Sequence, residues 1–244
     1  MVEKGKYQNS RGLKKEILNK MYEEAEPEYK KFNARLMPGV DEKDIIGVRL
    51  PKLRKMAKEI AKSCAFEYLS EIKDDCYFEE RMLYGMILGY SRLTLQEFVL
   101  HLPEFVSKIN DWSVCDSGVT SMKIFEKYPE EGLKLLKPYL ESGEEFAVRF
   151  GVVVLLRYYT NEKYVKTVLK YMRKIDCSKY YIMMAISWCV AECYIKFPEL
   201  TEGIFIEEAL DVTTNNKAIQ KIRESLRVER KDKERLNQLK RIHQ

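Results

Sequence analysis

Histidine is nearly missing from this sequence, with only His101 and His243 in 244 residues. Zinc centres and histidine-activated nucleophiles depend on imidazole, so the shortage argues against both. The six cysteines (64, 76, 115, 177, 189 and 193) show no CxxC spacing. Most sit in apolar runs, where a thiol packs as a small hydrophobe. No apolar run approaches about 18 residues, and the opening MVEKGKYQNSRGLKKE is polar where a secretory signal would be apolar. Together these features lead us to expect a reduced, cytoplasmic chain with no membrane span, no metal and no cofactor. Glycine (11) and proline (7) are few, which disfavours an all-β chain full of turns. Any chemistry must therefore rest on carboxylates, arginines and aromatics.

What is present fits a folded helical chain. Hydrophobic residues make up 45% and charged residues 33%, enough to bury a core and too apolar for disorder. The formal net charge of +5 is unevenly placed: residues 215–244 hold ten Lys/Arg against four Asp/Glu. A second basic cluster comprises Arg49, Lys52, Arg54, Lys55, Lys58 and Lys62. Clustered positive charge suits a polyanionic partner, although a solvated helix face reads the same way in one dimension.

Leu13, Ile17, Leu18 and Met21 mark a first helix over 10–26. Residues 29–44, broken by Pro38-Gly39, read as the least regular stretch. Pro51 suits the first turn of a helix over 51–63, with Leu53, Met56, Ala57 and Ile60 on one face. A nearly continuous apolar run over 79–92 predicts an inner helix, and Thr94 with Glu97 has capping-box spacing. Further helices are expected near 111–127, 130–140, 144–159, 162–174, 179–197, 200–210, 215–228 and 231–242, with Pro103, Pro129 and Pro198 at boundaries. Helix pairs recurring about every 35 to 40 residues predict an all-α solenoid of HEAT-like repeats, one curved domain over 1–244. Within it, 1–45 is less regular and 215–244 forms basic C-terminal helices.

Trp112 and Asp116 lie four residues apart, which places an indole and a carboxylate one turn from each other on a helix. Arg149 follows Trp112 by 37 residues, and Trp188, the other tryptophan, follows Arg149 by 39. At one repeat per interval these residues can converge on one concave wall. Ordinary core packing explains them as well, since Trp is usually largely buried.

The chain resembles the AlkD-like DNA alkylation repair proteins, HEAT-like repeat glycosylases that release positively charged alkylpurines. The likeness rests on Trp112 and Asp116 in DWSVCD, Arg149 in VRFGVVVLL, Trp188 in AISWCVAECY, and more general similarity in IGVRLPKLRK and NNKAIQKI. It spans roughly residues 46–228. The resemblance implies hydrolysis of the N-glycosidic bond of N3- or N7-alkylpurines in duplex DNA. Asp116 would stabilise an oxocarbenium-like sugar, because a fixed carboxylate favours developing positive charge. Trp112 and Trp188 would offer π faces to sugar and lesion, and Arg149 would hold a phosphate. Lys217, Lys221 and Arg223 are expected to contact DNA, with the chain acting as a monomer.

Two departures from the family stand out. Its active members carry an N-terminal helix that clamps the duplex, and residues 29–44 do not match it, which points to a subfamily without the clamp. Met183 and Met184 also stand where a polar surface would be expected. A non-catalytic binder of damaged or branched DNA with the same fold, and a protein–protein scaffold, are the alternative readings.

Overall fold

A computed structural model describes residues 12–72 and 76–242 of the chain. Residues 10 and 11 of the first expected helix, and His243, lie outside them. The described residues form helices and connecting turns with no strand. They group into two compact units, Met1–Tyr128 and Pro129–Gln244.

The first unit contains α1 (Leu13–Glu23), α2 (Pro27–Leu36), a 3-10 turn (Glu42–Asp44), α3 (Leu50–Ser63), α4 (Ala65–Glu71), α5 (Phe78–Tyr90), α6 (Leu95–Ser107), α7 (Trp112–Val119) and α8 (Ile124–Lys127). α3 buries Leu53, Met56, Ala57 and Ile60, an i, i+3, i+4, i+7 stripe, and Pro51 occupies its first turn. That stripe packs on α5, which in turn packs on α7, and α4 and α6 also lie against α5. α5 is buried along most of its length, as an inner helix must be. Glycine permits the close approach of α5 and α7. A Cβ on Gly85 would fall 2.4 Å from the Phe105 ring and 2.9 Å from Cα of Gly118.

Glu79 is the polar exception in this core, with no solvent exposure. Its carboxylate accepts three backbone N–H bonds, from Ile46 (2.9 Å), Gly47 (2.7 Å) and Val48 (3.2 Å). Burial pushes its pKa above the ordinary carboxylate value, while the N–H donors pull the other way. The segment it holds leads into α3. Gly47 there has φ +103°, a left-handed conformation suited to glycine. Its carbonyl accepts from the N–H of Glu26 at 3.0 Å, which ties the segment to the start of α2.

The second unit contains α9 (Pro129–Leu140), α10 (Glu145–Val154) with a π-helical extension (Leu155–Tyr159), α11 (Val165–Met172), α12 (Tyr180–Lys196), α13 (Pro198–Thr201), α14 (Gly203–Ile206), α15 (Val212–Glu224) and α16 (Arg230–Asn237). α12 packs against both α10 and α15, so three helices again stand side by side. The α-helical repeat scheme expected from the sequence is thus present in each unit. Asn215 and Asn216 donate to the carbonyls of Leu239 (3.1 Å) and Arg241 (2.7 Å), fastening the C-terminal residues to α15.

Several boundaries differ from expectation. Pro103 lies inside α6 rather than ending a helix, because burial of Leu102, Phe105 and Val106 outweighs the missing backbone bond. The helix expected over 111–127 stops at Val119. Hydroxyls of Thr120 and Ser121 bond the carbonyls of Asp116 and Gly118, both at 2.7 Å, before α8 begins. The stretch near 200–210 divides into α13 and α14. Residues 29–44 are more regular than predicted, since α2 runs through their first part with Pro27 in its opening turn. The Thr94–Glu97 capping box is present.

Candidate functional site

Local sequence fixes the presentation of Trp112 and Asp116. Asp111 caps α7, accepting from the N–H of Ser113 at 2.9 Å and from its hydroxyl at 2.7 Å. Val114, Cys115, Gly118 and Val119 form the buried face of α7. Trp112 is left exposed at 37% and Asp116 half-buried, one turn apart on the other side.

Both residues line a cavity of about 300 Å³ within the first unit. Its walls include Tyr29, Phe32 and Leu36 of α2, Arg54 of α3 and Met82 of α5. A carboxylate, a guanidinium and several aromatic faces therefore share one concavity. Arg54 belongs to the basic cluster, but nothing in one dimension distinguished it from its neighbours. The wall supplied by α2 could not be read from the sequence either, because the stretch had seemed irregular.

The placement of α2 explains the fate of that basic cluster. α2 buries none of its own side chains, and Phe32 and Leu36 remain exposed. It is held instead by polar contacts: Arg49 Nε donates to Glu26 at 2.8 Å, and Lys52 Nζ pairs with Glu24 at 2.7 Å. The Arg49 guanidinium also lies 4.8 Å from the Tyr29 ring centroid. The Arg49 hydrogen bond in particular holds Glu26 below the usual carboxylate range. Exposed pairs of this kind are individually weak and screened by salt. Met37, just beyond α2, is buried, and its sulfur lies 3.4 Å from the Ser113 hydroxyl oxygen.

In the second unit Arg149 is 5% exposed on α10. Its guanidinium donates to the Tyr181 carbonyl at 3.2 Å and lies 6.0 Å from the Tyr181 ring centroid. The Tyr181 N–H in turn donates to Glu145 at 2.7 Å, so the turn at the start of α12 is pinned to α10. Trp188 is half-buried on α12. On α15, Lys221 has its pKa pushed down, first by burial and then by the positive charge of Lys217, against an opposing pull from Glu224 and with a smaller push from Arg149. Lys217 and Arg149 thus each lie within electrostatic reach of Lys221. Arg223 stands about 200° round α15 from Lys221 and faces another way.

The C-terminal basic run is less free than its composition suggested. Arg227 pairs with Glu192 (2.6 Å), Arg230 with Glu234 (2.7 Å), Lys231 with Glu229 (3.0 Å) and Arg241 with Glu208 (3.3 Å). Arg235 meets both Glu202 (2.5 Å) and Asp232 (3.2 Å). Met183 and Met184 are half-buried.

Among the described residues no group of three or more His, Cys, Asp or Glu could hold a metal ion. No helix there is long and apolar enough to cross a membrane. All six cysteines are free thiols, five of them buried.

A protein-family model described as DNA alkylation repair enzyme matches residues 17–228. Neither the comparison with curated proteins nor that with solved structures yields a match.

Proposed function

Since the chain belongs to the DNA alkylation repair enzyme family, we propose that it is a DNA glycosylase that binds duplex DNA and hydrolyses the N-glycosidic bond of positively charged N3- or N7-alkylpurines. The observation that carries this reading is the cavity shared by Asp116, Trp112 and Arg54. An alkylated purine already bears positive charge, so it departs with the bonding electron pair and becomes neutral. The positive charge passes to the deoxyribose as an oxocarbenium-like cation, which water then attacks at C1′, losing a proton.

Catalysis of such a step needs a fixed negative charge beside the sugar rather than a strong acid, and Asp116 supplies it. Trp112 offers a π face to a cation. Arg54 suits a phosphate flanking the lesion, because a guanidinium matches phosphate geometry. Arg149, Lys217 and Lys221 carry the charge to hold backbone phosphates, and Trp188 adds a second indole. The direct test is incubation of the protein with a duplex carrying N7- or N3-methylpurines. Release of free methylpurine is expected, and binding without release would remove the enzymatic reading.

Lys221 provides a second check that needs no chemistry. A lysine whose pKa is depressed on folding costs stability while charged. That cost is full below its folded pKa and fades as the pH rises towards the unfolded value. Lys221→Met is therefore expected to raise the thermal midpoint at neutral pH while weakening duplex binding. The slope of log affinity against log salt should fall by about one phosphate contact. A lowered midpoint with unchanged binding would return Lys221 to a purely structural place.

A further inference from the structure

The second unit also holds a cavity of about 610 Å³ whose lining includes neither Arg149 nor Trp188. It lies where the α9–α10 and α11–α12 turns meet. Lys137 and Lys170 stand in the last turns of α9 and α11, and Lys174 and Lys179 complete a rim of four exposed lysines. Lys179 Nζ donates to the Gly143 carbonyl at 2.8 Å, linking the two turns. The lining has two carboxylates, Glu141 and Asp176. Asp176 is already engaged by the N–H (3.1 Å) and hydroxyl (2.7 Å) of Ser178, which hold it below the usual carboxylate range.

Lysines in a last helical turn complement the helix dipole, and the four that line this cavity outnumber its two carboxylates. A ligand with several negative charges would balance that excess of positive charge. Inside the rim the surface changes character: Leu140, Val148 and Ile182 are buried apolar walls, and Tyr171 is half-buried beside them. Apolar and aromatic walls edged by charged groups, at a volume within the usual range of about 300–1,000 Å³, match the usual make-up of a ligand site. The occupant must combine a flat, weakly polar body with more than one anionic group.

We propose that this cavity binds a phosphorylated nucleoside, with the base against Tyr171 and the phosphates on the lysine rim. The same chemistry is offered by a free nucleotide and by the 5′-phosphorylated end of a DNA strand. The 244-residue chain is titrated with 2′-deoxyadenosine 5′-triphosphate and with a 5′-phosphorylated single strand of about ten nucleotides. Inorganic tripolyphosphate is the control for charge alone.

The triphosphate is expected to bind more tightly than tripolyphosphate. The Lys170→Ala/Lys174→Ala variant should weaken binding roughly tenfold or more, because it removes two charge-assisted contacts. Both lysines are exposed, so the variant is expected to keep its thermal midpoint and any methylpurine release. Lysine-dependent binding of the triphosphate alone identifies a free nucleotide, and lysine-dependent binding of the strand alone identifies a strand end. Three outcomes overturn the proposal: neither probe binds, binding ignores the lysine changes, or tripolyphosphate binds as tightly as the nucleotide. None of them depends on whether the chain releases alkylpurines.

Discussion

Replacing Asp116 with Asn should lower the single-turnover rate of methylpurine release by about 10²–10³-fold, the usual cost of removing one preorganised charge-stabilising group. The substitution keeps the shape of the side chain and removes only its charge. Asp116 is half-buried beside Trp112 in a cavity with partly apolar walls, where solvent screens a charge less than in open water. Duplex affinity should be retained or slightly increased, since a negative charge near phosphates is gone. The rate and the affinity must be measured on the same preparation. A rate within a few-fold of the unmodified protein would show that the carboxylate is not the catalytic charge, whatever the affinity.

The second large effect concerns a residue that touches no substrate. Glu79→Ala leaves the three buried N–H groups of Ile46, Gly47 and Val48 without their acceptor and opens a cavity in α5. Each orphaned donor costs about 1–3 kcal/mol, and partial relaxation towards water reduces the sum, so a loss of about 3–5 kcal/mol in urea unfolding is expected. Glu79→Gln serves as the graded control. Its one carbonyl oxygen can serve Gly47 and Val48, which share Oε1, but its amide would face the Ile46 N–H donor to donor. The order of stability should be Glu, then Gln, then Ala. Because Gly47 also accepts from Glu26, loosening this segment should disturb α2 and the cavity it walls. A Glu79→Ala protein as stable as the unmodified chain would mean that the segment finds other acceptors.

Much of the helical fold was legible because period and capping act locally. The Leu53, Met56, Ala57, Ile60 stripe, the Pro51 first turn and the Thr94–Glu97 box are each decided by residues within two turns of one another. Helix ends were read less well where packing overrides a local signal. Pro103 is tolerated within α6 because its neighbours are buried, and the break after Val119 follows from hydroxyls bonding back to α7 carbonyls. The irregular reading of residues 29–44 failed for a related reason. α2 has no buried side chain to create a strong apolar period, and it is held by Arg49 and Lys52, more than a dozen residues further along the chain.

The sequence by itself determined the helical class, the family likeness and the pairing of Trp112 with Asp116, since a four-residue spacing becomes a shared helix face wherever the helix lies. Tertiary structure alone decided which of six clustered cations lines the same cavity as that pair. Arg49 and Lys52 are occupied with the carboxylates of α2, whereas Arg54 turns into the cavity with Asp116. It likewise decided that five of the ten basic residues near the C-terminus are engaged in ion pairs, while half-buried Lys221 lies under the positive fields of Lys217 and Arg149. Charge can be counted along a chain, but its effect depends on distance and burial, and those exist only once distant segments have packed.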